Sequence, residues 1–386
     1  MAPERPRGED AIPRKRGRGA DRRPPRAVEP SSSPPAQGPA LYAALDLGTN
    51  SCRMLIAEPR GSQFRVVDSF SKTVQLGVGL EASGRLSRAS MGRTVAALRI
   101  CQKKLETHGV RRMRLVATEA CRRARNARDF LRQVRRETGM VVEIISTEEE
   151  ARLAAISCAP LVSPQTEQLL VGDIGGGSTE LVWVELSDVP PADRPRAIMA
   201  LHSGFNAPDP HLLPGPRARV VDWISVPLGV ATLKDQFADV EDDAARFALM
   251  SWFFEENLAN FSPYNAEAPR AGFQMIGTSG TITTVAASFL GLKRYDRAKV
   301  DGLRMSSSQI DTVIREYLML GPEGRRQDPR IGRDRHSLIM SGAAILQALM
   351  RIWPTDQLSV ADRGLREGLL YAQMCADGVL DDGPYR

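Results

Sequence analysis

The sequence predicts an α/β protein of two structurally related halves that face one another across a central cleft. Three observations predict it. A strand, an Asp-x-Gly turn and a returning strand occupy residues 41–57, and the same pattern recurs at residues 168–184. Between and after these hairpins, short apolar runs alternate with amphipathic stretches of helical period. A chain of 386 residues with 42% hydrophobic content is also long and apolar enough to build the cores of two domains.

Order is expected to begin at Leu41. Residues 41–45 read as a buried strand running into Asp46-Leu47-Gly48-Thr49-Asn50-Ser51, and residues 52–57 as its return. A strand over 65–69 follows, then a long helix over 87–107 with Val95, Leu98, Cys101 and Leu105 on one stripe. A strand at 114–118, a helix at 126–138, a strand at 141–145 and a helix at 147–157 come next, the last capped by Ser146 or Thr147. The second half opens with a strand at 168–172, Asp173-Ile174-Gly175-Gly176-Gly177-Ser178-Thr179, and a return over 180–184. Prolines crowd the insertion at 187–222, which reads as a surface excursion. Helices are expected over 232–261, a strand at 274–277, an apolar helix over 282–290, and mainly helices from Ser307 on. The domain expectation is a tail at 1–40, a first domain at 41–166 completed by the C-terminal helix, and a second at 167–386.

Charge is unevenly placed. Residues 1–40 hold nine Lys or Arg against five Asp or Glu, +4 of the total +6, which leaves +2 for the rest. Their Pro, Arg, Gly and Ser cannot bury enough apolar surface to offset ordering entropy, so the tail is expected to be a disordered, solvated arm. At most it offers weak contact to polyanions. The cysteines Cys52, Cys101, Cys121, Cys158 and Cys375 form no CxxC pair, and four histidines form no cluster, which argues against structural zinc. No run approaches the roughly 18–20 apolar residues that span a bilayer, and no apolar stretch follows the basic start. A soluble protein of the reducing cytoplasm, with no membrane partner, is the expectation.

The strongest chemical signal is Asp173-Ile-Gly-Gly-Gly-Ser-Thr-Glu180. Consecutive glycines after a strand let backbone N–H groups approach an anion, Ser178 and Thr179 add hydroxyls, and Asp173 and Glu180 suit a hard cation such as Mg²⁺. A solvent-facing glycine hairpin is the plain alternative, since lone glycine-rich motifs are weak signals. The matching loop Asp46–Ser51 strengthens the phosphate reading, because two such loops on opposed halves grip a phosphoryl group from both sides.

Taken together, these loops resemble those of the acetate and sugar kinase, heat-shock chaperone and actin superfamily. Within it the chain is similar to the exopolyphosphatase/guanosine pentaphosphate phosphatase (Ppx/GppA) family. Four more segments carry the resemblance: Ala117-Thr118 through Arg122 to Asn126, Ile145 through Glu150-Ala151-Arg152-Leu153, Gly277-Thr278-Ser279-Gly280-Thr281, and Gly364-Leu365-Arg366-Glu367-Gly368. They run in the family's order over residues 41–372, with the tail and the insertion outside. The chain ends soon after the last of them and so resembles the family's short form, without the histidine-rich domain of longer members.

The resemblance implies two actin-like, ribonuclease H-like domains facing a central cleft, and Mg²⁺ as the cofactor. It implies Glu150 as the general base activating water, Asp173 and Glu180 as metal-binding or water-orienting acids, and Asp46 as the first loop's acid near the metal. Gly48, Thr49, Asn50, Ser51, Gly175, Gly176, Gly177, Ser178 and Thr179 would cradle phosphate, with Arg53 and Arg122 on its oxygens. From the residues alone, Glu148-Glu149-Glu150 is an acidic first turn favoured by the helix dipole, and Arg122 one member of a basic run. Gly277–Thr281 reads as a turn, which the superfamily resemblance makes a nucleotide site as an alternative; Gly364 and Gly368 with Arg366 read as close packing, and His202 and His211 as loop residues. The stripe Leu338, Ile339, Ala343, Leu346 and Met350 reads as helix core.

The leading functional expectation is an exopolyphosphatase. The alternative on the same site is hydrolysis of guanosine pentaphosphate (pppGpp), an alarmone of the stringent response. A small-molecule kinase with a nucleotide at Gly277–Thr281 and a non-catalytic polyanion- or alarmone-binding regulator are the competing classes. A homodimer is compatible with the family resemblance.

Overall fold

Two hairpins with the same register open the two halves of the molecule. In the computed structural model, which describes residues 40–205, 217–265, 271–332 and 335–380, β1 (Tyr42–Leu47) and β2 (Ser51–Arg60) pair antiparallel, with Asp46 opposite Arg53. Residues 1–39 and residues 206–216 of the insertion, His211 among them, lie outside the described residues. After β3 (Gln63–Thr73) come α1 (Leu80–Ser83), α2 (Arg88–Thr107), β4 (Arg112–Ala117), α3 (Glu119–Arg123), α4 (Ala127–Thr138), β5 (Glu143–Ile144) and α5 (Thr147–Ser157). The first sheet has the order β3-β2-β1-β4-β5, with β4 parallel to β1 and β5 parallel to β4.

The second half repeats this plan. It consists of β6 (Gln168–Ile174), β7 (Thr179–Glu185), α6 (Arg194–Met199), β8 (Arg219–Val226), α7 (Val230–Gln236), α8 (Asp243–Glu256), β9 (Phe273–Thr278) and α9 (Gly280–Phe289). These are followed by α10 (Arg297–Val300), β10 (Arg304–Met305), α11 (Ser307–Gln327), α12 (Ile339–Ile352), β11 (Leu358–Ala361) and α13 (Leu365–Ala376). Its sheet reads β8-β7-β6-β9-β11-β10, again an antiparallel meander continued by parallel strands, with one antiparallel strand added at the far edge. The expected α/β architecture of two related halves is therefore present.

Period-two alternation decides which core each strand serves. Ala43 and Leu45 of β1 face the helices α2 and α4, whereas Tyr42 and Ala44 face the layer between the sheets. In β6, Leu170 and Ile174 join the core under α8, α9, α11 and α12, while Leu169 and Val171 point to the same middle layer. That layer holds α5 and α13, with Ala151, Leu153 and Ile156 against Leu369, Leu370, Tyr371 and Met374. Contact is closest at Gly368, where a Cβ would stand 2.1 Å from the Leu153 carbonyl oxygen, so only glycine lets α13 approach α5 here. Of the expected stripe, Ile339, Ala343, Leu346 and Met350 fall on α12 as core, whereas Leu338 is its half-buried N-cap residue and lines the cleft.

Three strands depart from expectation. β8 begins at the end of the proline-rich 187–222 segment and runs on to Val226 as an edge strand, only partly buried, and so lacks a strong alternating pattern. β11 is fully buried but only four residues long, too short to separate from the helical surroundings by period. β10 has two residues and exists through its pairing with β11. Among the described residues no helix is long and apolar enough to cross a membrane.

Candidate active site

Both hairpin loops close in the same way. Gly48 N–H donates to the Ser51 carbonyl (3.0 Å), and Gly175 N–H donates to the Ser178 carbonyl (2.9 Å). Loop carbonyls are tied from behind. Asn50 O accepts from Val74 and Gln75 N–H (2.9 Å each), Gly175 O from Val230 (3.0 Å) and Gly176 O from Ala231 (2.8 Å) at the start of α7. The N–H groups of Thr49, Asn50, Gly176, Gly177 and Ser178 donate to no backbone acceptor among the described residues. Loop donors without an internal acceptor are available to an anion. The loops also touch one another: a Cβ on Gly177 would stand 2.5 Å from Thr49 Oγ1, and one on Gly176 would stand 3.4 Å from Asn50 N. Thr49 Oγ1 is itself buried with no hydrogen-bond partner.

A cleft of about 300 Å³ lies against these loops. Asp46, Gly48, Thr49, Asn50, Ser51, Arg53, Glu150, Asp173, Gly175, Gly176, Gly177 and Ser178 line it, so most of the residues singled out from sequence are brought together. The hairpin registers explain the placement of the acids and cations. Asp46 faces Arg53 across β1 and β2, and Asp173 faces Glu180 across β6 and β7, so each pair shares one side of its sheet.

Burial sets the electrostatics. Asp46 is raised above the usual carboxylate range by burial, against the pull of Arg53 and Arg366. Asp173 is pushed up to about 8 by burial, then by repulsion from Glu150 and Asp46. Glu180 rises to about 7 through burial and the charge of Asp173, with hydrogen bonds from Ser178 and Ser225 pulling it back. Glu150 is pushed well above the usual range by burial and by Glu180, with Arg122 opposing. Arg53 is lowered by burial and then by Arg366, and Asp46 offsets part of this. Such a set of desolvated, mutually repelling acids is stabilised by a bound cation.

Helix α5 presents Glu150. Ser146 caps it, its side chain accepting from Glu149 N–H at 3.1 Å, and Glu150 N–H donates to Ser146 O at 3.0 Å. Gly368 and α13 hold the helix from the other side. Arg122 Nη1 stands 2.7 Å from Glu150 Oε2 and also donates to the Ile145 carbonyl at 3.1 Å. No well-directed hydrogen bond reaches that carboxylate oxygen, so the contact acts mainly through charge.

Thr179 and Arg122 stand outside the cleft lining, and the three acids do not form one cluster. Thr179 is fully buried and its hydroxyl donates to the Leu228 carbonyl (2.7 Å), so it anchors the β7 start and does not reach the cleft. Arg122 lies behind Glu150, its Nε and Nη2 bonded to Glu119 (3.1 and 3.0 Å), and does not line the cleft. Asp46, Asp173 and Glu180 form no preassembled three-carboxylate centre: among the described residues no three His, Cys, Asp or Glu side chains are placed to hold a metal ion unaided. Glu180 turns to accept from Ser225 Oγ at 2.8 Å. One or two carboxylates still fit Mg²⁺, which keeps waters and takes phosphate oxygens as its remaining ligands.

Sequence reasoning missed Glu119, Arg335, Arg363 and the cleft-facing side of Arg366. Arg335 is engaged by the Gly280 carbonyl (2.9 Å) and Thr284 Oγ1 (2.6 Å), and Arg363 by Asp301 (2.9 Å). Arg53 and Arg366 donate no side-chain hydrogen bond among the described residues, and Arg366 stands 4.0 Å from the Glu367 carboxylate. The position of Arg366 two residues before Gly368, where a Cβ does not fit, was its only local signal. Thr278, Ser279, Gly280 and Thr281 also line the cleft, with Ser279 capping α9 through Ile282 N–H (2.9 Å).

The model of the Ppx/GppA phosphatase family matches residues 55–376. The guanosine-5'-triphosphate,3'-diphosphate pyrophosphatase of Aeromonas salmonicida is 29% identical over 332 residues, 86% of this chain and 59% of that protein. The chain therefore spans less than two thirds of that relative's length. Among solved structures, the Aquifex aeolicus member of the Ppx/GppA protein family superposes with a TM-score of 0.68 at 27% identity, over 88% of this chain and 98% of its own. An exopolyphosphatase from Cytophaga hutchinsonii shares the fold, with a TM-score of 0.71 at 21% identity over 88% and 98% of the two chains.

Proposed function

Because the chain belongs to the Ppx/GppA phosphatase family, we propose that it is a hydrolase of terminal phosphoanhydride bonds, releasing orthophosphate from inorganic polyphosphate. The observation that carries this reading is the pair of identically closed loops, whose residues line one cleft with Glu150 and leave five N–H groups without a backbone acceptor among the described residues. Phosphoryl transfer needs positioning and charge neutralisation more than covalent chemistry, and the cleft offers both.

Loop N–H groups and the cleft-lining guanidinium groups of Arg53 and Arg366 would hold the terminal phosphate oxygens. Glu150 would accept the proton of the attacking water at its carboxylate, whose raised basicity suits proton abstraction near neutral pH. Arg122 at 2.7 Å supports the ionised form. Mg²⁺ would be held by Asp46 and Asp173, and when bound it supplies charge neutralisation to the phosphate oxygens. The division at residues 41–166 and 167–386 corresponds in this proposal to the two walls of the cleft. A cytoplasmic setting, a homodimer and a weak polyanion contact by residues 1–40 complete it.

Phosphate release from long-chain polyphosphate with Mg²⁺, comparing the intact protein with Glu150→Ala, tests the proposal. Loss of a general base costs about 10²–10⁴-fold in rate. Robust release that survives the substitution unchanged would refute the assignment. The second reading, pppGpp as preferred substrate in the stringent response, is favoured by the name of the Aeromonas relative. A competition assay separates them: equal or faster turnover of pppGpp would reverse the ranking.

A further inference from the structure

All three nitrogens of the Arg122 guanidinium are committed. Nε and Nη2 both donate to Glu119 Oε2, at 3.1 and 3.0 Å, and Nη1 lies 2.7 Å from Glu150 Oε2 while donating to the Ile145 carbonyl. Burial works against the charge of Arg122, but the two carboxylates outweigh it and raise its pKa. Glu119 is itself well placed to hold the group. It is the first residue of α3, one residue beyond the end of β4, its side chain is 11% exposed, and its Oε1 lies 3.8 Å from Arg123 Nε. Its Cγ packs on the opposing loop, where a Cβ on Gly177 would stand 3.0 Å away.

This arrangement settles a competition. A lone arginine beside a cleft that admits a polyanion is drawn to phosphate oxygens, and its departure would leave Glu150 buried without a cation. A second carboxylate on the far edge of the guanidinium removes that attraction. It makes the position between the two acids the favoured one. Glu119 also lines the cleft, so its charge discourages a phosphate from approaching Arg122.

Resting on the reading of Glu150 as the base, we propose that Glu119 is a positioning residue, which pins Arg122 to Glu150 and keeps it from the substrate. Glu119 acts through Arg122 and has no contact with the phosphate. Freed from Glu119, Arg122 turns toward substrate, so binding is retained while the base loses its alignment.

Orthophosphate release is measured for wild type, Glu119→Ala, Glu119→Gln, Arg122→Ala, the Glu119→Ala/Arg122→Ala double variant and Glu150→Ala, with thermal melts alongside. Misplacement of a catalytic group on the ångström scale costs roughly 10–100-fold. Glu119→Ala is expected to lose that much in kcat with KM unchanged or lower. Glu119→Gln keeps the size and one acceptor, and it is expected to recover part of the loss. In the Arg122→Ala background, Glu119→Ala is expected to change kcat by less than about twofold, because coupled residues are not additive. A raised KM in Glu119→Ala, or losses that multiply in the double variant, would overturn the proposal in favour of direct contact with substrate or cation. If Glu119→Ala fails to fold, the same criteria apply to Glu119→Gln. Wild-type kcat in a folded Glu119 variant together with an inactive Glu150→Ala removes this inference alone. An active Glu150→Ala removes the base assignment and this inference with it.

Discussion

Gly368→Ala places a methyl carbon 2.1 Å from the Leu153 carbonyl oxygen, 2.7 Å from its carbon and 3.1 Å from its Cα. Carbon–oxygen contacts settle at about 3.3–3.6 Å, so α5 and α13 must separate by roughly 1.2 Å. The obstacle is backbone, and no rotamer change can relieve it. Neither helix has room to retreat, because Leu369, Leu370, Tyr371 and Met374 of α13 and Leu153 and Ile156 of α5 are buried in the same layer between the sheets. Overpacking of this kind costs about 1–3 kcal/mol, and more where backbone must move. Leu153 is one helical turn from Glu150, so the displacement reaches the base directly. A 1 Å error in a catalytic group costs about 10²-fold. A melt and a phosphate-release assay on the same sample should therefore show a lower Tm and a kcat loss out of proportion to the unfolded fraction. An unchanged Tm with unchanged kcat would refute the argument that this contact sets the position of α5.

Other substitutions probe separate links. Gly92 lies exposed within α2, and a Cβ added there would meet nothing within 4 Å, so Gly92→Ala should stabilise by about 0.5–1 kcal/mol in denaturant melts without affecting activity. Thr49→Val removes a buried hydroxyl that has no partner, so the ligand-free protein should hold or gain Tm while KM rises. For Asp173, burial and the charges of Glu150 and Asp46 raise the pKa from 3.8 to about 8. The folded state thus keeps a proton that the unfolded chain releases, so this stabilisation is complete below about pH 4 and is lost as pH rises through about 8. Thermal melts of ligand-free wild type should fall across that window, and Asp173→Asn should flatten the profile; parallel profiles would contradict it.

Local signals were strong enough to reveal the parts of the site that depend on short stretches of chain. Asp46–Ser51 and Asp173–Ser178 were legible because a glycine turn between two apolar runs is specified by a handful of adjacent residues. The capped helix carrying Glu150 was legible for the same reason, since Ser146 and the acidic first turn lie within four positions. By itself the sequence therefore determined the two hairpins, their glycine loops and the helix between them. Tertiary structure alone decided that Arg122 serves Glu119 and Glu150, that Thr179 turns to Leu228, and that Arg366 faces the cleft while Gly368 faces α5. It alone turned Leu358–Ala361 into a strand, by laying it beside β9 in a buried sheet. These outcomes rest on partners far apart in the chain, and the energy of an ion pair or a ladder hydrogen bond exists only once folding has brought both groups out of water to the same place.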